Sequence, residues 1–343
     1  MAEGTEQAAP TGDVSRKLAR LLESVAKNKP SLQHLKPAEP ASIVPSPSRP
    51  PALKKQHKFL TPTEETVKPL DYLLHMDIAC YKITKKKTLP NEVISYDLPD
   101  GKVEIASSAY GMASSWDYDL VIMAVSHIAA QMKHYQAGRA PKPGPYFRPR
   151  LSQVLKYCER GKGGKQRKQL SDALDRLSTT YVRIERARHV RGEYLEFKSG
   201  ECLIAGYDLV VNPKTNAIEF IEIQIAGSTY REIAKGKGFK ALLLHPDYFK
   251  ISSGVGRVVY RLARQAAGKS TATWGFKTLY QRSCSTGTLN EFCRLLRDLI
   301  RENDLPEYKL VKVHGKMGEM LTMTYRGFAL EEMGYPDEKS HDA

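Results

Sequence analysis

The sequence predicts an α+β protein made of two tandem winged-helix domains, the first with an enlarged β-sheet, behind a disordered N-terminal arm. Three observations carry this expectation. A unit of helix, polar joint, basic helix and two β-rich strands occurs twice. The positive charge gathers around the two basic helices. Residues 1–60 hold 8 of the 20 prolines and few aromatics, too little apolar surface to offset the entropy of ordering. The boundaries follow as an arm over 1–65, a first domain over 66–235, a second over 236–330 and a flexible tail over 331–343.

Within the arm, Asp13 is placed to cap a helix over 13–27 whose Val14, Leu18, Leu21, Leu22 and Val25 share a face. Such a helix is a docking segment, or it lies on its own domain or frays in water. From Leu70 to Ser107, the alternation in Val93-Ile94-Ser95-Tyr96 and Lys102-Val103-Glu104-Ile105 predicts a hairpin about Pro99-Asp100-Gly101. The first repeat then runs through Tyr118–Gln136, Leu151–Cys158, Gly164–Leu177 and a β wing over Thr180–Phe197. Two further strands, Cys202–Val211 and Ala217–Ile225, turn at residues 212–216 and enlarge the first sheet. Lys235-Gly236-Lys237-Gly238 suits a joint. The second repeat follows as Gly254–Ala267, Thr273–Ser283, Thr288–Asn303 and a wing over Tyr308–Tyr325.

Residues 151–191 carry 11 basic and four acidic side chains, a net +7, and residues 235–302 carry 13 and four, a net +9. Against a formal charge of +15 for the chain, the remainder is close to neutral. Charge focused on two helices points to a polyanion, double-stranded DNA.

In the second repeat, Leu289, Phe292, Cys293, Leu296, Leu299 and Ile300 form a buried helix face, while Asn290, Arg294, Arg297 and Arg301 form a separate stripe. Thr288 and Glu291 have the spacing of a capping box. Ser283, Ser285 and Thr286 before it are short donors for phosphate oxygens, with Lys277 and Arg282 alongside. In the first repeat, Leu170, Ala173, Leu174 and Leu177 face the core and Lys165, Lys168, Gln169, Asp172 and Arg176 face outward. Lys162, Arg167 and the glycines at 161, 163 and 164 bring cations and backbone amides to a helix start. Asp172 is expected to pair with Arg176 or Lys168, the alternative being a cytosine amino group. Arg183, Arg186, Arg188 and Arg191 of the wing, with His189, read as backbone contacts beside the groove. The bland alternative for both helices is a solvated basic stripe on an inert helix.

Other chemistry finds little support. The five cysteines are scattered, without the spacing of a zinc site or a disulfide framework, as expected of thiols in a reducing cytosol. No signal peptide or membrane-length apolar run is present, so a cytoplasmic protein is expected. Glu159-Arg160 stands where a nucleotidase phosphate loop begins, and Gly254-Val255-Gly256 lacks the third glycine of a dinucleotide fingerprint. No two of the nine histidines are separated by a single residue, as a strand-nicking nuclease would need. Tyr248 and Tyr260 near Arg257 and Arg261 invite a recombinase reading but are commoner as packing. The expectation is a non-enzyme with no catalytic residues, cofactor or metal.

The stretches Gly111-Met112-Ala113-Ser114-Ser115-Trp116-Asp117-Tyr118-Asp119, Leu170-Ser171-Asp172-Ala173-Leu174-Asp175-Arg176-Leu177, His245-Pro246-Asp247-Tyr248-Phe249-Lys250 and Gly256-Arg257-Val258-Val259-Tyr260-Arg261-Leu262-Ala263-Arg264 matter together. In this order the sequence resembles the replication initiator protein A family, bacterial plasmid proteins with tandem winged helices. The resemblance runs from about Ser107 to Gly327, and no single segment is diagnostic alone. It implies binding to directly repeated sites in a plasmid origin, opening of an adjacent A·T-rich stretch, recruitment of the host initiator and replicative helicase, and often repression of the protein's own gene. Residues 1–60 fall outside it, and the cluster at 165–168 sits at a junction that varies within the family, so neither inherits a role. A homodimer through the larger first-domain sheet is a further expectation. The competing functions are a winged-helix transcriptional regulator or autorepressor and, less favoured, a DNA-processing enzyme.

Overall fold

The computed structural model describes residues 67–72, 79–84, 90–98, 101–161, 165–190, 193–215, 217–236, 239–316 and 318–327. The expected helix at 13–27, the rest of the arm to residue 65 and the tail from 331 lie outside them. In chain order come β1 (Leu70–Tyr72), β2 (Val93–Leu98), β3 (Gly101–Ala106), α1 (Asp119–Gln136), β4 (Tyr146–Phe147), α2 (Leu151–Tyr157) and α3 (Gln166–Thr179). Then follow β5 (Tyr181–Val190), β6 (Glu193–Cys202), β7 (Ile204–Val211), β8 (Ile218–Ile225), α4 (Gly227–Ala234) and β9 (Ala241–Leu243). After a 3-10 turn (Pro246–Lys250) the chain forms α5 (Gly254–Ala266), β10 (Thr271–Gly275), α6 (Phe276–Arg282), α7 (Leu289–Glu302), β11 (Tyr308–Gly315) and β12 (Gly318–Tyr325). The protein is therefore α+β.

The repetition is visible in the sheets. Strands β4, β7 and β8 form an antiparallel sheet in the order β4-β8-β7, and β10, β11 and β12 form one in the order β10-β12-β11. Each unit thus runs helix, short strand, two helices, hairpin, and its short strand pairs with the hairpin's last strand.

This topology corrects the expected first wing. Strands β5 and β6 pair with the β2–β3 hairpin in a separate sheet ordered β2-β3-β5-β6. The place that β11 and β12 hold in the second unit is held in the first by β7 and β8, which the sequence marked as supernumerary. Local alternation shows that a strand exists; it does not show which strand it pairs with. The β2–β3 hairpin forms where the sequence predicts, with Leu98 opposite Gly101.

Two helices form the middle of the molecule. Helix α1 is buried from Asp119 through Ala129, and α5 from Gly254 through Ala263. Apolar residues such as Leu120, Val121, Ile122 and Met123 run around the α1 axis because every side meets protein. Ser253 caps α5, its Oγ accepting from the Gly256 N–H at 3.2 Å. A Cβ at position 254 would collide with the Ile83 carbonyl oxygen, so glycine lets α5 start against the segment 79–84.

The halves share one hydrophobic core, in which Ile122, Met123, Leu174 and Ile223 join Val259, Leu262, Phe292 and Met323. Strand β1 pairs with β9 across them. Among the described residues, no helix is long and apolar enough to cross a membrane.

Candidate nucleic-acid interface

Helix α7 takes its orientation from its apolar face. Phe292, Leu296 and Leu299 are buried, and Cys293, Leu295 and Ile300 pack around them. The Thr288 Oγ1 accepts from the Glu291 N–H at 3.3 Å, which fixes the start of the helix. The reciprocal arm of the capping box is replaced, because the Glu291 carboxylate takes Arg294 at 3.1 Å. At the other end Asn303 adopts the left-handed conformation, φ 49°. Its side-chain amide bridges to the Leu310 backbone, donating at 3.2 Å and accepting at 2.9 Å. The helix and the β11–β12 hairpin are thus fixed relative to each other.

Opposite this face, Asn290, Arg294, Arg297 and Arg301 are all exposed, as the sequence predicts. The arginines are not bare cations. Arg294 lies between Glu291 and Asp298, 3.1 and 3.0 Å away, and Arg301 meets Asp298 at 2.7 Å. Arg297 binds the Glu319 carboxylate of β12 through two nitrogens at 3.2 and 2.5 Å, and Lys312 joins the same carboxylate at 3.2 Å. These donors hold the Glu319 carboxyl down at about 2. Solvated pairs of this kind hold weakly in water, so a phosphate can replace the carboxylate partner at little cost.

Around the approach to α7, Lys277 and Thr286 are exposed and Ser285 is half-buried. Arg282 is half-buried with its guanidinium 4.9 Å above the Trp274 ring. Ser283 departs from expectation. It is fully buried and its Oγ donates to the Tyr280 carbonyl at 2.8 Å, closing the end of α6, so it offers nothing to a phosphate.

In the first repeat, Leu170, Ala173, Leu174 and Leu177 bury one face of α3, leaving Lys165, Lys168 and Gln169 exposed and Arg167 half-exposed at its start. Lys162 and Arg191 lie outside the described residues. Arg176 is not part of the outward face. Its guanidinium turns onto Asp117 with two hydrogen bonds of 2.8 and 3.0 Å, which displaces the expected Asp172–Arg176 pair and ties α3 to the segment before α1. A carboxylate buried at the helix flank outcompetes one in water.

Arg183, Arg186 and Arg188 stand on β5, in the four-stranded sheet rather than beside α3 in a wing. Arg183 is engaged by Glu104 and Glu185. The hairpin that takes the place of β11–β12 in the first repeat, β7–β8, carries Asp208, Glu219 and Glu222, the last held by Arg148 at 2.7 Å.

Part of the +9 concentration in the sequence is also structural. Arg257 and Arg261 are 2 % and 1 % exposed. Arg257 donates to Asp119 at 2.6 Å and to the Ile251 and Phe249 carbonyls, both at 2.9 Å. Burial pushes the Asp119 carboxyl up and the Arg257 guanidinium pulls it back. Arg261 pairs with Asp71 between the faces of Tyr81 and Tyr118, 5.1 and 5.0 Å from their centroids. Tyr248 and Tyr260 are wholly buried in the same core.

Lys309, Lys312, His314 and Lys316 on the β11–β12 hairpin, outside the residues expected from the sequence, are all exposed beside α7. Cations at alternate positions in 312–316 were the signal.

The chain matches the family model described as Replication initiator protein A over residues 71–310, more than half its length. It is 26% identical over 219 residues to a Wigglesworthia glossinidia brevipalpis protein named as a candidate replication protein, covering 63% of this chain and 75% of that one. Among solved structures, domains 2 and 3 of RctB, as the selenomethionine derivative, superpose with a TM-score of 0.51 at 11% identity, over 74% of this chain and 98% of that one. That likeness is one of fold. The family match spans the first repeat, the second as far as the start of β11, and the buried pairs that join them, and the chain belongs to the replication initiator protein A family.

Proposed function

We propose that the protein initiates plasmid replication by binding directly repeated duplex sites at its origin, using each repeat as a winged helix with its second paired helix in a major groove. One observation carries this reading: two units of the same strand order each leave a cation-bearing helix face in solvent. On α7 the contacts are Asn290, Arg294, Arg297 and Arg301, with Lys277, Arg282, Ser285 and Thr286 at the approach. On α3 they are Lys165, Arg167, Lys168 and Gln169.

Two reading helices on one chain raise each other's effective concentration at adjacent grooves. A larger interface also offsets the cost of bending the site, which strains and helps open a neighbouring A·T-rich tract. Binding built on phosphate contacts falls steeply with salt. The protein acts by binding and by recruiting the host initiator and helicase, and not by bond chemistry of its own.

Footprinting across the plasmid that carries the gene tests this. Protection of direct repeats about two helical turns apart, next to an A·T-rich tract, is the expected result. Protection confined to one promoter operator, with plasmid copying intact after deletion of the gene, rejects it in favour of an autorepressor.

A further inference from the structure

A groove of about 720 Å³ lies where the two repeats join. Its walls are the C-terminal half of α1, the end of α4 and the β1–β9 ribbon, and Ala129, Met132, Ile233, Phe239 and Leu243 give it an apolar lining. Leu243 is 45 % exposed and Ala130 in the α1 wall is half-buried. An apolar surface drawn from both sides of the joint thus meets solvent, which marks a place where something docks.

The chain itself points to the occupant. Val67, the first of the described residues, and Lys68 stand in the groove wall just before β1. Residues 55–66 therefore join the fold at this groove. They hold one pair of large apolar side chains, Phe59 and Leu60, followed by two acidic ones, Glu64 and Glu65. The groove offers the opposite charge, because Lys68 and Lys133 in its lining are both exposed. The lengths agree as well. The α1 wall, from Ser126 to Ala137, is about 16 Å long at the rise of an α-helix. Extended chain from Val67 back to Leu60 reaches about 24 Å, enough to carry the apolar pair along the whole groove. Thr61 precedes Pro62, which disfavours helix there and favours an extended path.

We propose that residues 59–66 of the same chain fill this groove, Phe59 and Leu60 packing on Met132 and Leu243, and the two glutamates pairing with Lys133 and Lys68. Attachment at Val67 makes the contact intramolecular, so a small apolar area suffices to hold it. The strap bears on α1 and α4 before the joint and on β9 after it, and so holds the two repeats in one arrangement. Among the described residues, none from α3 or α7 lines the groove, so the strap stands or falls independently of the DNA-binding proposal.

Photo-cross-linking in the full chain tests it. Phe59→benzoylphenylalanine should link on irradiation to peptides containing Met132 or Leu243, and always within one chain when isotope-labelled and unlabelled protein are mixed. Trypsin gives a second reading, because cleavage follows the fraction of a segment that is open. Cleavage after Lys58 should rise about tenfold in Leu60→Asp, which puts a charge in the groove, and in Ala130→Trp, which fills it, while cleavage after Arg20 stays as it was. Leu60→Asp changes no residue of the hydrophobic core, so its effect is not one of unfolding. Links between labelled and unlabelled chains would give the groove to a second copy, and links scattered over the surface would deny it to this segment. Cleavage after Lys58 as fast in the wild type as in both variants would show the segment open. Each of these results overturns the proposal.

Discussion

Asp71 and Arg261, 190 residues apart in the chain, hold each other at 2.6 Å with both residues 1 % exposed. The hydroxyl of Tyr118, the N-cap residue of α1, donates to the second oxygen of Asp71 at 3.0 Å, so β1, α5 and the entry to α1 share one carboxylate. With the Asp119–Arg257 pair, this makes the first and second repeats parts of one buried network.

Breaking that network on one side leaves an uncompensated charge in the core. Asp71→Asn or Arg261→Met should each cost about 3 to 5 kcal/mol, and the paired replacement Asp71→Leu/Arg261→Met should recover most of the loss. Denaturant unfolding is the measurement, with both repeats lost in a single transition. A second transition in the wild-type protein, or a paired variant as unstable as the single ones, would show that the pair does not couple the halves.

How far the sequence anticipates this structure depends on what can be read from a single segment. The 3.6-residue period of Phe292, Leu296 and Leu299 and the capping Thr288 are local, and α7 lies where they place it. Arg257 and Arg261 look, in sequence, like any cations on a helix; their burial depends on Asp119 and Asp71, which no local pattern connects to them. Ser283 and Arg176 mislead for the same reason, since their partners, the Tyr280 carbonyl and Asp117, become visible only after folding. The first wing is displaced because strand pairing is a tertiary choice, and β5 prefers the distant β3.

The stripe on α7 should separate specificity from stability. Changing Arg294 and Arg297 together to Ala should reduce discrimination between cognate and random duplex by about one to two orders of magnitude. The melting temperature should scarcely move, because the pairs removed lie in solvent. Competition binding at fixed salt and a thermal melt on the same sample check both halves. Unchanged specificity with a large melting shift would make the stripe structural.

Ser283→Ala tests the reassignment of that residue. Loss of its hydrogen bond to Tyr280 should cost about 0.5 to 1.5 kcal/mol of stability while the salt slope of DNA binding stays as it was. A lowered slope with unchanged stability would return Ser283 to the phosphates.

His127 gives the fold an acid sensitivity. It is 6 % exposed, with Phe147 and Tyr157 ring centroids 5.0 and 5.3 Å away, and burial lowers its pKa against the raising effect of the Met123 carbonyl 2.8 Å from Nδ1. The folded state therefore favours the neutral ring. Its contribution is complete above the unfolded value of about 6.5 and declines as pH falls from there toward the depressed folded value. His127→Gln should flatten the melting temperature between pH 6.5 and 5. An equally steep profile in the variant would place the acid response elsewhere.

Glu319 reports on whether Arg297 leaves its partner for DNA. In the free protein the carboxyl sits at about 2 because Arg297 and Lys312 both donate to it. A depressed carboxyl stabilises the folded state above its unfolded value, about 4.3, and loses that contribution as pH drops through the folded one, a contribution that solvent screening keeps small for this exposed pair. Carbon-detected NMR of the side-chain carboxyl should find the low value in the wild-type chain and a rise toward the ordinary range in Arg297→Ala. If Arg297 turns to a phosphate or a guanine edge on binding, the wild-type carboxyl should also rise when cognate duplex is added, and random duplex at the same salt should raise it less. A carboxyl that stays at about 2 in the specific complex would keep Arg297 on Glu319 and confine DNA contact on α7 to Asn290, Arg294 and Arg301.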